Sequence, residues 1–257
     1  MNNLNRMFEN LLQFANEPYY VEQNPPSQEE DSANATPSNS HPPKSHKKYR
    51  FQSILSAVAS ADTNRVIKIS QGLYVEANEL GIPGVRLQTL DPASNVIITN
   101  ENYASLVINL PTPEDEVWVE NIKFAHLCEY EKGLVSWPSI REMRDNRFMG
   151  LRVGHNMNTN ILVKRGVLHV DECRFSMAGQ RDTSRVYPSI VVEREGTLMI
   201  TRSEVIGGSG SVGIFCEGGK VNVRECVIKD HSAVGILISG GKGTSVVLKN
   251  SVVTGCS

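Results

Sequence analysis

The residues able to do chemistry are dispersed along the 257-residue chain. Five cysteines, at positions 128, 173, 216, 226 and 256, contain no Cys-x-x-Cys pair, and none of the six histidines has a neighbour at the spacing of metal ligands. Asp182 lies beside Gln180 and Arg181, but it falls in a loop rather than on a repeated strand. We therefore predict no metal, no cofactor and no catalytic residue.

Four copies of one short pattern predict the elements that must position these side chains. The copies are GVLHVDECRF (166–175), GTLMITRSEV (196–205), KVNVRECVI (220–228) and SVVLKNSVV (245–253). They align on Leu168, Leu198, Val221 and Val246. Their spacings of 30, 23 and 25 residues are typical of one supersecondary unit stacked on the last. The pattern predicts a solenoid.

A second apolar triplet precedes each copy, so that one coil contains three short strands. The triplets are ILV (161–163), IVV (190–192), IFC (214–216) and ILI (236–238). Because side chains alternate along a strand, we expect three pairs to point inward. They are Ile214 with Cys216, Val221 with Val223, and Cys226 with Ile228. Similar segments upstream (EVWVENIKF, VIKIS, VRLQT, VIITN and LVINL) extend the pattern, and dividing 66–257 by the repeat length gives roughly eight coils.

The coils resemble the parallel β-helix repeats of the pectin-lyase-like superfamily. The segment FQSILSAVASADTNRVIKISQGLYVE (51–76) is similar to the start of pectinesterases. The segment VGIFCEGGKVNVRECVIKDHSAVGILISGG (212–241) is similar to F-box β-helix proteins and to SHC SH2-domain-binding spindle proteins. The expected fold is all-β, a right-handed parallel β-helix with three short strands per coil. The eukaryotic relatives imply substrate recognition or cytoskeletal assembly, and no F-box-like helical module is visible in residues 1–50.

Composition separates the N-terminal part of the chain from the repeats. Residues 1–16 carry Leu4, Phe8 and Leu11 at helical spacing, which predicts an amphipathic helix. Residues 17–48 are rich in Pro, Ser, Asn and charge, which predicts a disordered linker.

The β-helix is expected over residues 49–257. Apolar residues at helical spacing predict an amphipathic helix at 51–61 that caps the N-terminal end of the core. An insertion is predicted at about 130–160. The final repeat stops at Ser257 without a polar capping repeat, which favours a truncated chain, or a last coil that is covered by a partner or by another copy of the chain.

The outward positions of the second and third strands offer little for catalysis. On the second strand they hold Trp118, His169, Met199, Asn222 and Val247. On the third strand they hold Lys123, Arg174, Glu204, Val227 and Val252. Enzymes that cleave polysaccharides on this fold use clustered charges, and glycosidases use paired carboxylates. These positions predict no such pair.

The turn after the second strand is interpreted as structural. Its aligned positions are Glu172, Arg202, Glu225 and Asn250. Opposite charges one coil apart favour a single register, and Asn121 and Asn250 suit a left-handed turn. The small-residue ladder Cys173, Ser203, Cys226 and Ser251 is interpreted as inward packing rather than reactive chemistry.

One outward column is apolar and is the candidate binding surface. It contains the middle residues of the triplets, Leu162, Val191, Phe215 and Leu237. A soluble protein seldom leaves such a column bare, so we expect it to be covered by the N-terminal helix, by the insertion or by a partner protein. The candidate binding residues are these four together with Leu4, Phe8 and Leu11.

Two functions remain open. The first is a non-catalytic, intracellular scaffold for protein–protein interaction, with its cysteines buried as free thiols. A net charge of −2 and the lack of a long apolar run argue against nucleic acid and membrane partners. The alternative is a carbohydrate-active enzyme or sugar-binding module, with Trp118, Tyr74 and Tyr103 as stacking platforms.

Overall fold

The structure is a computed structural model that describes residues 18–22, 49–100, 104–125, 159–177, 187–208 and 210–256. Within these ranges the chain forms one helix, α1 (Ile54–Ala59), and twenty strands. The strands before residue 130 are β1 (Tyr19–Val21), β2 (Arg50–Phe51), β3 (Val66–Ile69), β4 (Gly72–Val75), β5 (Asn78–Leu80), β6 (Arg86–Thr89), β7 (Val96–Thr99), β8 (Leu106–Asn109), β9 (Glu116–Glu120) and β10 (Lys123–Ala125). The later strands are β11 (Ile161–Asp171), β12 (Arg174–Ser176), β13 (Tyr187–Thr201), β14 (Glu204–Ile206), β15 (Ser211–Glu217), β16 (Lys220–Arg224), β17 (Val227–Lys229), β18 (Val234–Ser239), β19 (Ser245–Lys249) and β20 (Val252–Thr254).

These strands pair in parallel and stack as the three faces of a β-helix. The first face contains β5, β8, the start of β11 and β13, then β15 and β18. The second face contains β2, β1, β3, β6, β9, the end of β11 and β13, then β16 and β19. The third face is a separate seven-stranded sheet, in the order β4, β7, β10, β12, β14, β17 and β20.

The stacking register confirms the repeat alignment. Leu168 pairs with Leu198, Leu198 with Val221, and Val221 with Val246. Within the described residues, the seven strands of the third face show seven coils, where roughly eight were predicted from the repeat length. Strand β9 pairs directly with β11, and β10 pairs directly with β12.

The predicted inward residues form the core. All six members of the three pairs between Ile214 and Ile228 are at most 2% exposed. The inner column of the third face includes Phe124 and Phe175, whose rings stack with centroids 5.2 Å apart. Stacking of coils buries the apolar side of each strand against its neighbours, as expected for a solenoid.

Each turn between the second and third faces contains one residue whose backbone lies in the left-handed region. We call this residue the corner. The corner residues and their φ angles are Asn121 (55°), Glu172 (52°), Arg202 (46°), Glu225 (55°) and Asn250 (49°). The left-handed conformation predicted for the two asparagines is confirmed, and the charged residues at the same corner adopt it as well. Each corner is followed by a position that points back into the core, such as Cys173 or Cys226.

The N-terminal region differs from its prediction in two respects. Strand β1 (Tyr19–Val21) lies inside the predicted linker 17–48, where it pairs in parallel with both β2 and β3. The predicted helix 51–61 is shorter, because Phe51 belongs to β2 and α1 begins only at Ile54. The predicted helix 1–16 and the greater part of the insertion lie outside the described residues.

Candidate functional site

The outer apolar column lies on the outside of the first face, as predicted. Its residues are stacked in register, in the order Val107, Leu162, Val191, Phe215 and Leu237. Val191 and Phe215 are fully buried, Leu162 is nearly so, and Leu237 is half-buried. These side chains belong to a second apolar cluster, separate from the main core. The column is therefore largely covered, and its role in partner binding stays a prediction.

The other candidate binding residues, Leu4, Phe8 and Leu11, lie outside the described residues. Their role in partner binding therefore stays a prediction.

Two glutamates continue the outer side of the first face beyond this column. Glu193 lies two residues after Val191, Glu217 lies two residues after Phe215, and the two glutamates are direct register partners on β13 and β15. Burial raises the pKa of the Glu217 carboxyl, and the nearby charge of Glu193 raises it further. We call Glu193 and Glu217 the carboxylate pair. Two adjacent carboxyl groups are a combination that general acid–base chemistry uses.

The expectation of no paired carboxylates concerned the outward positions of the second and third strands, whereas Glu193 and Glu217 lie on the first face. The signal was present in the sequence, because Glu follows both the triplet IVV (190–192) and the triplet IFC (214–216). It was missed because outward charges were sought on the second and third strands. The prediction of no catalytic residue stays a prediction.

Trp118 lies at the centre of an outward column on the second face. Its ring stacks on the ring of His169 in the next coil, with centroids 5.2 Å apart and planes 10° apart. The guanidinium carbon of Arg86 lies 4.3 Å from the centroid of the Trp118 ring. Arg86 and His169 come from the coils on either side, on β6 and β11, so both ring faces are covered. Trp118 is therefore not a stacking platform for a sugar ring.

Tyr74 does not provide that platform either. Its ring is 2% exposed in the core, and its hydroxyl donates to the backbone oxygen of Ser70 at 3.0 Å. Burial also raises the pKa of the Tyr74 hydroxyl. Tyr103 lies outside the described residues. The stacking role predicted for Trp118 and Tyr74 is wrong because packing between coils uses both rings.

The charged residues near the corners contact one another across coils. Arg202 forms ion pairs with Asp171 and, at 3.3 Å, with Glu172 in the preceding coil. Arg174 lies 3.7 Å from Glu204 in the same way. These contacts support the interpretation as register control, although exposed pairs contribute only about 0–1 kcal/mol each.

The cysteines of the ladder pack inward. Burial raises the pKa of the Cys173 thiol to about 12, and it also raises the pKa of the Cys226 thiol. The hydroxyl of Ser203 accepts from the Cys173 amide at 3.0 Å and donates to the carbonyl oxygen of Thr201 at 2.7 Å. The ladder therefore provides hydrogen-bond partners for backbone groups at the corner. This supports the interpretation that its side chains pack inward rather than react.

One histidine was not singled out from the sequence. His231 is fully buried, its Nδ1 atom lies 3.1 Å from the Ser211 hydroxyl, and its Nε2 atom lies 3.3 Å from the carbonyl oxygen of Val205. Burial lowers the pKa of the His231 imidazole, although the charge of Asp230 opposes that shift. Both ring nitrogens have partners, so His231 joins the turn before β18 to the preceding coil.

The last coil, formed by β18, β19 and β20, has no further coil against its outer edge among the described residues. Its inward positions are consequently exposed, at 57% for Ile238, 44% for Leu248 and 43% for Val253. Of the nine large apolar residues that are exposed in the described chain, six lie between Val234 and Val253. The last coil is therefore the main exposed apolar surface of the described chain.

The described ranges contain no group of three or more His, Cys, Asp or Glu side chains that could hold a metal ion. They also contain no helix long and apolar enough to cross a membrane.

Comparison with known proteins gives a distant structural likeness. No family model and no curated protein matches the chain. A provisionally named glycosyl hydrolase from Parabacteroides merdae matches with a TM-score of 0.38 and 9% identity, over 77% of this chain and 86% of that one. A likeness at this level does not bear on the function of the chain.

Proposed function

We propose that this chain is a non-catalytic scaffold for protein–protein interaction, and that the last coil is its recognition surface. The observation that carries this proposal is the exposure of Ile238, Leu248 and Val253 at positions that are buried in the interior coils. Soluble proteins seldom leave a contiguous apolar surface of this kind uncovered unless it binds something.

The backbone of the last coil favours the same function. Strands β18, β19 and β20 each pair with the preceding coil on one edge only. The outer edge of each strand therefore presents backbone donors and acceptors that an added strand could use. Strand addition combines these hydrogen bonds with apolar contacts at alternate side chains, and it is a common mode of protein recognition.

We further propose that the β-helix is right-handed and that α1 closes its N-terminal end. The handedness rests on the strong preference of parallel strand connections. For the closure, Ile54, Ala57 and Val58 of α1 are buried in the main core. The Glu76 carboxylate accepts from the amides of Ile54 and Leu55, at 3.1 and 2.8 Å, and so attaches the helix to the turn after β4.

Affinity capture with matched variants tests the scaffold proposal. Leu248→Asp places a charge on the last coil, whereas Leu90→Asp changes an equally exposed leucine in the turn after β6. We expect a specific set of proteins to be captured by the original chain and by Leu90→Asp, and to be lost with Leu248→Asp. Capture that is unchanged by Leu248→Asp would rule out the last coil as the recognition surface.

A second candidate function rests on the carboxylate pair. Glu217, whose pKa is raised, would act as the general acid, and Glu193 would act as the base or nucleophile of a carbohydrate-active enzyme. Neighbouring parallel strands lie about 4.8 Å apart, close to the carboxylate separation of about 5–5.5 Å in retaining glycosidases.

Assays of the Glu217→Gln and Glu193→Gln variants on polysaccharides test this candidate. Cleavage of uronate polymers by the original chain, lost in both variants and kept in the surface control Glu114→Gln, would favour the enzyme over the scaffold. Equal amounts of product from the original chain and all three variants would show that the carboxylate pair is not catalytic.

A further inference from the structure

We infer that a second copy of this chain binds face to face on the outside of the second face, in an arrangement set by charge. The surface consists of the outward positions of β9, β11, β13, β16 and β19, and we call it the outer second face. It uses outward side chains in the wall of the solenoid, not the strand edges or inward residues of the last coil. The inference therefore does not rest on the proposed function.

The charged residues of the outer second face are separated by sign along the solenoid. The outward positions of β9 and β11 hold three acidic residues and no lysine or arginine, and those of β16 and β19 hold three basic residues and no acidic one. The acidic residues are Glu116, Glu120 and Asp171, and the basic residues are Lys220, Arg224 and Lys249. Strand β13 lies between the two groups, and its outward residues are the uncharged Thr197, Met199 and Thr201.

The charged side chains of this surface are accessible, unlike the outer apolar column of the first face. The side chains of Glu116 and Arg224 are 47% and 62% exposed, respectively. Lys220 and Lys249 are also exposed, and Met199 at the centre of the surface is half-buried. A partner can therefore reach both charged groups without displacing any described part of the chain.

A two-fold axis that runs parallel to β13, through the plane of contact, pairs the two charged groups. It places β13 of one copy over β13 of the other, β11 over β16, and β9 over β19. Because this axis preserves position along the strands, Asp171 of one copy faces Arg224 of the other, and Glu120 faces Lys249. Each contact occurs twice, because both copies use the same surface.

The third pair of charges is also brought together. Lys220 of one copy faces Val167 of the other, and Glu116 lies beside that valine, one coil away. Coils are about 4.8 Å apart, which is less than the Debye length of about 8 Å at physiological salt. All six charged residues therefore have an unlike charge nearby in the other copy.

Charge also excludes the other simple arrangement. A two-fold axis parallel to the solenoid would place β9 over β9 and β16 over β16, so that like charges face each other. The corner residues lie at the margin of the contact, because the chain turns there toward the third face. Arg202, at the central corner, forms ion pairs with Asp171 and Glu172 of its own copy, which balances the charge at that margin.

The apolar part of the surface contributes to a weak dimer. The axis brings Trp118 of one copy opposite Val247 of the other, and Val247 is 42% exposed in the single chain. Five strands about 4.8 Å apart, each with five residues about 3.3 Å apart, form a face of roughly 400 Å². This is smaller than the roughly 800 Å² per partner of a standard interface, so we expect a Kd in the micromolar range or above.

The charge pattern identifies a second copy as the occupant of this surface. Any other partner would need an acidic and a basic group at the same separation, with an uncharged strip between them. The chain already carries this complement on its own outer second face. Charge complementarity of this kind favours one orientation over the alternatives.

Sedimentation velocity on the full chain tests the inference. We expect dimers to form as protein concentration rises and to weaken as salt is added, because screening reduces the attraction between the copies. Lys249→Glu should weaken dimerisation by about tenfold or more, since like charges then meet at two symmetric contacts. Lys229→Glu makes the same charge change on the third face and should leave dimerisation unchanged.

A mixture of two charge-reversed variants tests the arrangement itself. Glu120→Lys alone should weaken dimerisation as Lys249→Glu does. When the two variants are mixed in equal amounts, every contact between position 120 of one copy and position 249 of the other again joins unlike charges. We therefore expect the mixture to dimerise about as strongly as the original chain. Circular dichroism and thermal melting of each variant establish that it remains folded.

Three outcomes would overturn the inference. The first is a chain that stays monomeric at low salt up to about 1 mM protein, the weak end of specific association. The second is a dimer that Lys249→Glu leaves unchanged, and the third is a mixture that fails to restore dimerisation. Each outcome leaves the scaffold proposal intact, because that proposal is tested by capture with Leu248→Asp on a different surface.

Discussion

The two ends of the solenoid differ in how their apolar interior is covered. The inner column of the third face begins at Tyr74 on β4 and ends at Val253 on β20. Both residues lie on a terminal strand of the same sheet, yet Tyr74 is 2% exposed and Val253 is 43% exposed. Being on a terminal strand is therefore not sufficient to expose a core residue.

Segments that do not belong to the repeats contact the first coils. Tyr19 on β1 stacks on Tyr49 and packs against Phe51, with ring centroids 5.5 and 5.0 Å apart, respectively. The guanidinium carbon of Arg65 lies 4.6 Å from the centre of the Tyr19 ring, and the Tyr19 hydroxyl donates to the Ser60 carbonyl oxygen at 3.0 Å. These contacts hold β1 and the end of α1 against the first coils.

The repeats supply the walls of the solenoid, and we propose that residues 18–22 and 49–61 close its N-terminal end. At the last coil the described chain contains no corresponding segment.

The largest expected effect is the contrast between an interior and a terminal residue of one column. Phe175→Ala removes a ring that stacks on Phe124 in the core, and it should lower the free energy of unfolding by about 3–5 kcal/mol. Val253→Ala in the same column should cost no more than about 1 kcal/mol, since Val253 is already exposed to water. Urea unfolding at low protein concentration measures both. Equal losses would contradict the description of the last coil as open.

The next effect is a stabilisation near the N-terminal end. Asn78 occupies the inner column of the first face, beside Leu106, and neither its Nδ2 nor its Oδ1 atom has a hydrogen-bond partner. Asn78→Leu should raise the free energy of unfolding by about 1–3 kcal/mol, because it removes an unsatisfied buried amide. Asn109→Leu, at an exposed position on the adjacent strand, is the control and should not stabilise. A loss of stability in Asn78→Leu would show that the amide is satisfied.

A smaller effect is expected for the attachment of α1. Glu76→Gln weakens acceptance from the amides of Ile54 and Leu55, and it should cost about 1 kcal/mol, the usual value for a helix cap. Hydrogen exchange of residues 54–59 should become faster. Glu114→Gln in the turn before β9 should leave exchange of α1 unchanged. If Glu76→Gln also leaves the hydrogen exchange of α1 unchanged, the Glu76 carboxylate does not hold the helix.

The smallest effect near neutral pH concerns His231. Because burial lowers the pKa of its imidazole below the ordinary value of 6.5, the folded state favours the neutral form. Its contribution to stability should be fully present above pH 6.5 and should be lost progressively as the pH falls below that value. Thermal melts between pH 5 and 8, scanned for the original chain and for His231→Gln, measure this. The variant should lose less stability on acidification. Identical pH profiles for the two proteins would contradict the interpretation that the folded state favours neutral His231.

The sequence predicted the coils well because their period and their alternation are local properties. Aligning the four copies placed Leu168, Leu198, Val221 and Val246 in one column, and the inward and outward sides followed from alternation. The left-handed corner at Asn121 was also predictable, because asparagine tolerates that conformation.

The parts that were missed depend on contacts between distant segments. Strand β1 is short and lies in a polar context, and only its pairing with β2 and β3 makes it a strand. The covering of both faces of Trp118 depends on Arg86 and His169 in other coils. The carboxylate pair differs, because its two glutamates already aligned in the sequence.

Hydrogen exchange at low protein concentration tests the central claim most directly. We expect amides of β18–β20 to exchange much faster than those of β1 and β3. Equal protection of both ends at low concentration would contradict the account, because it would mean that the single chain already covers its last coil.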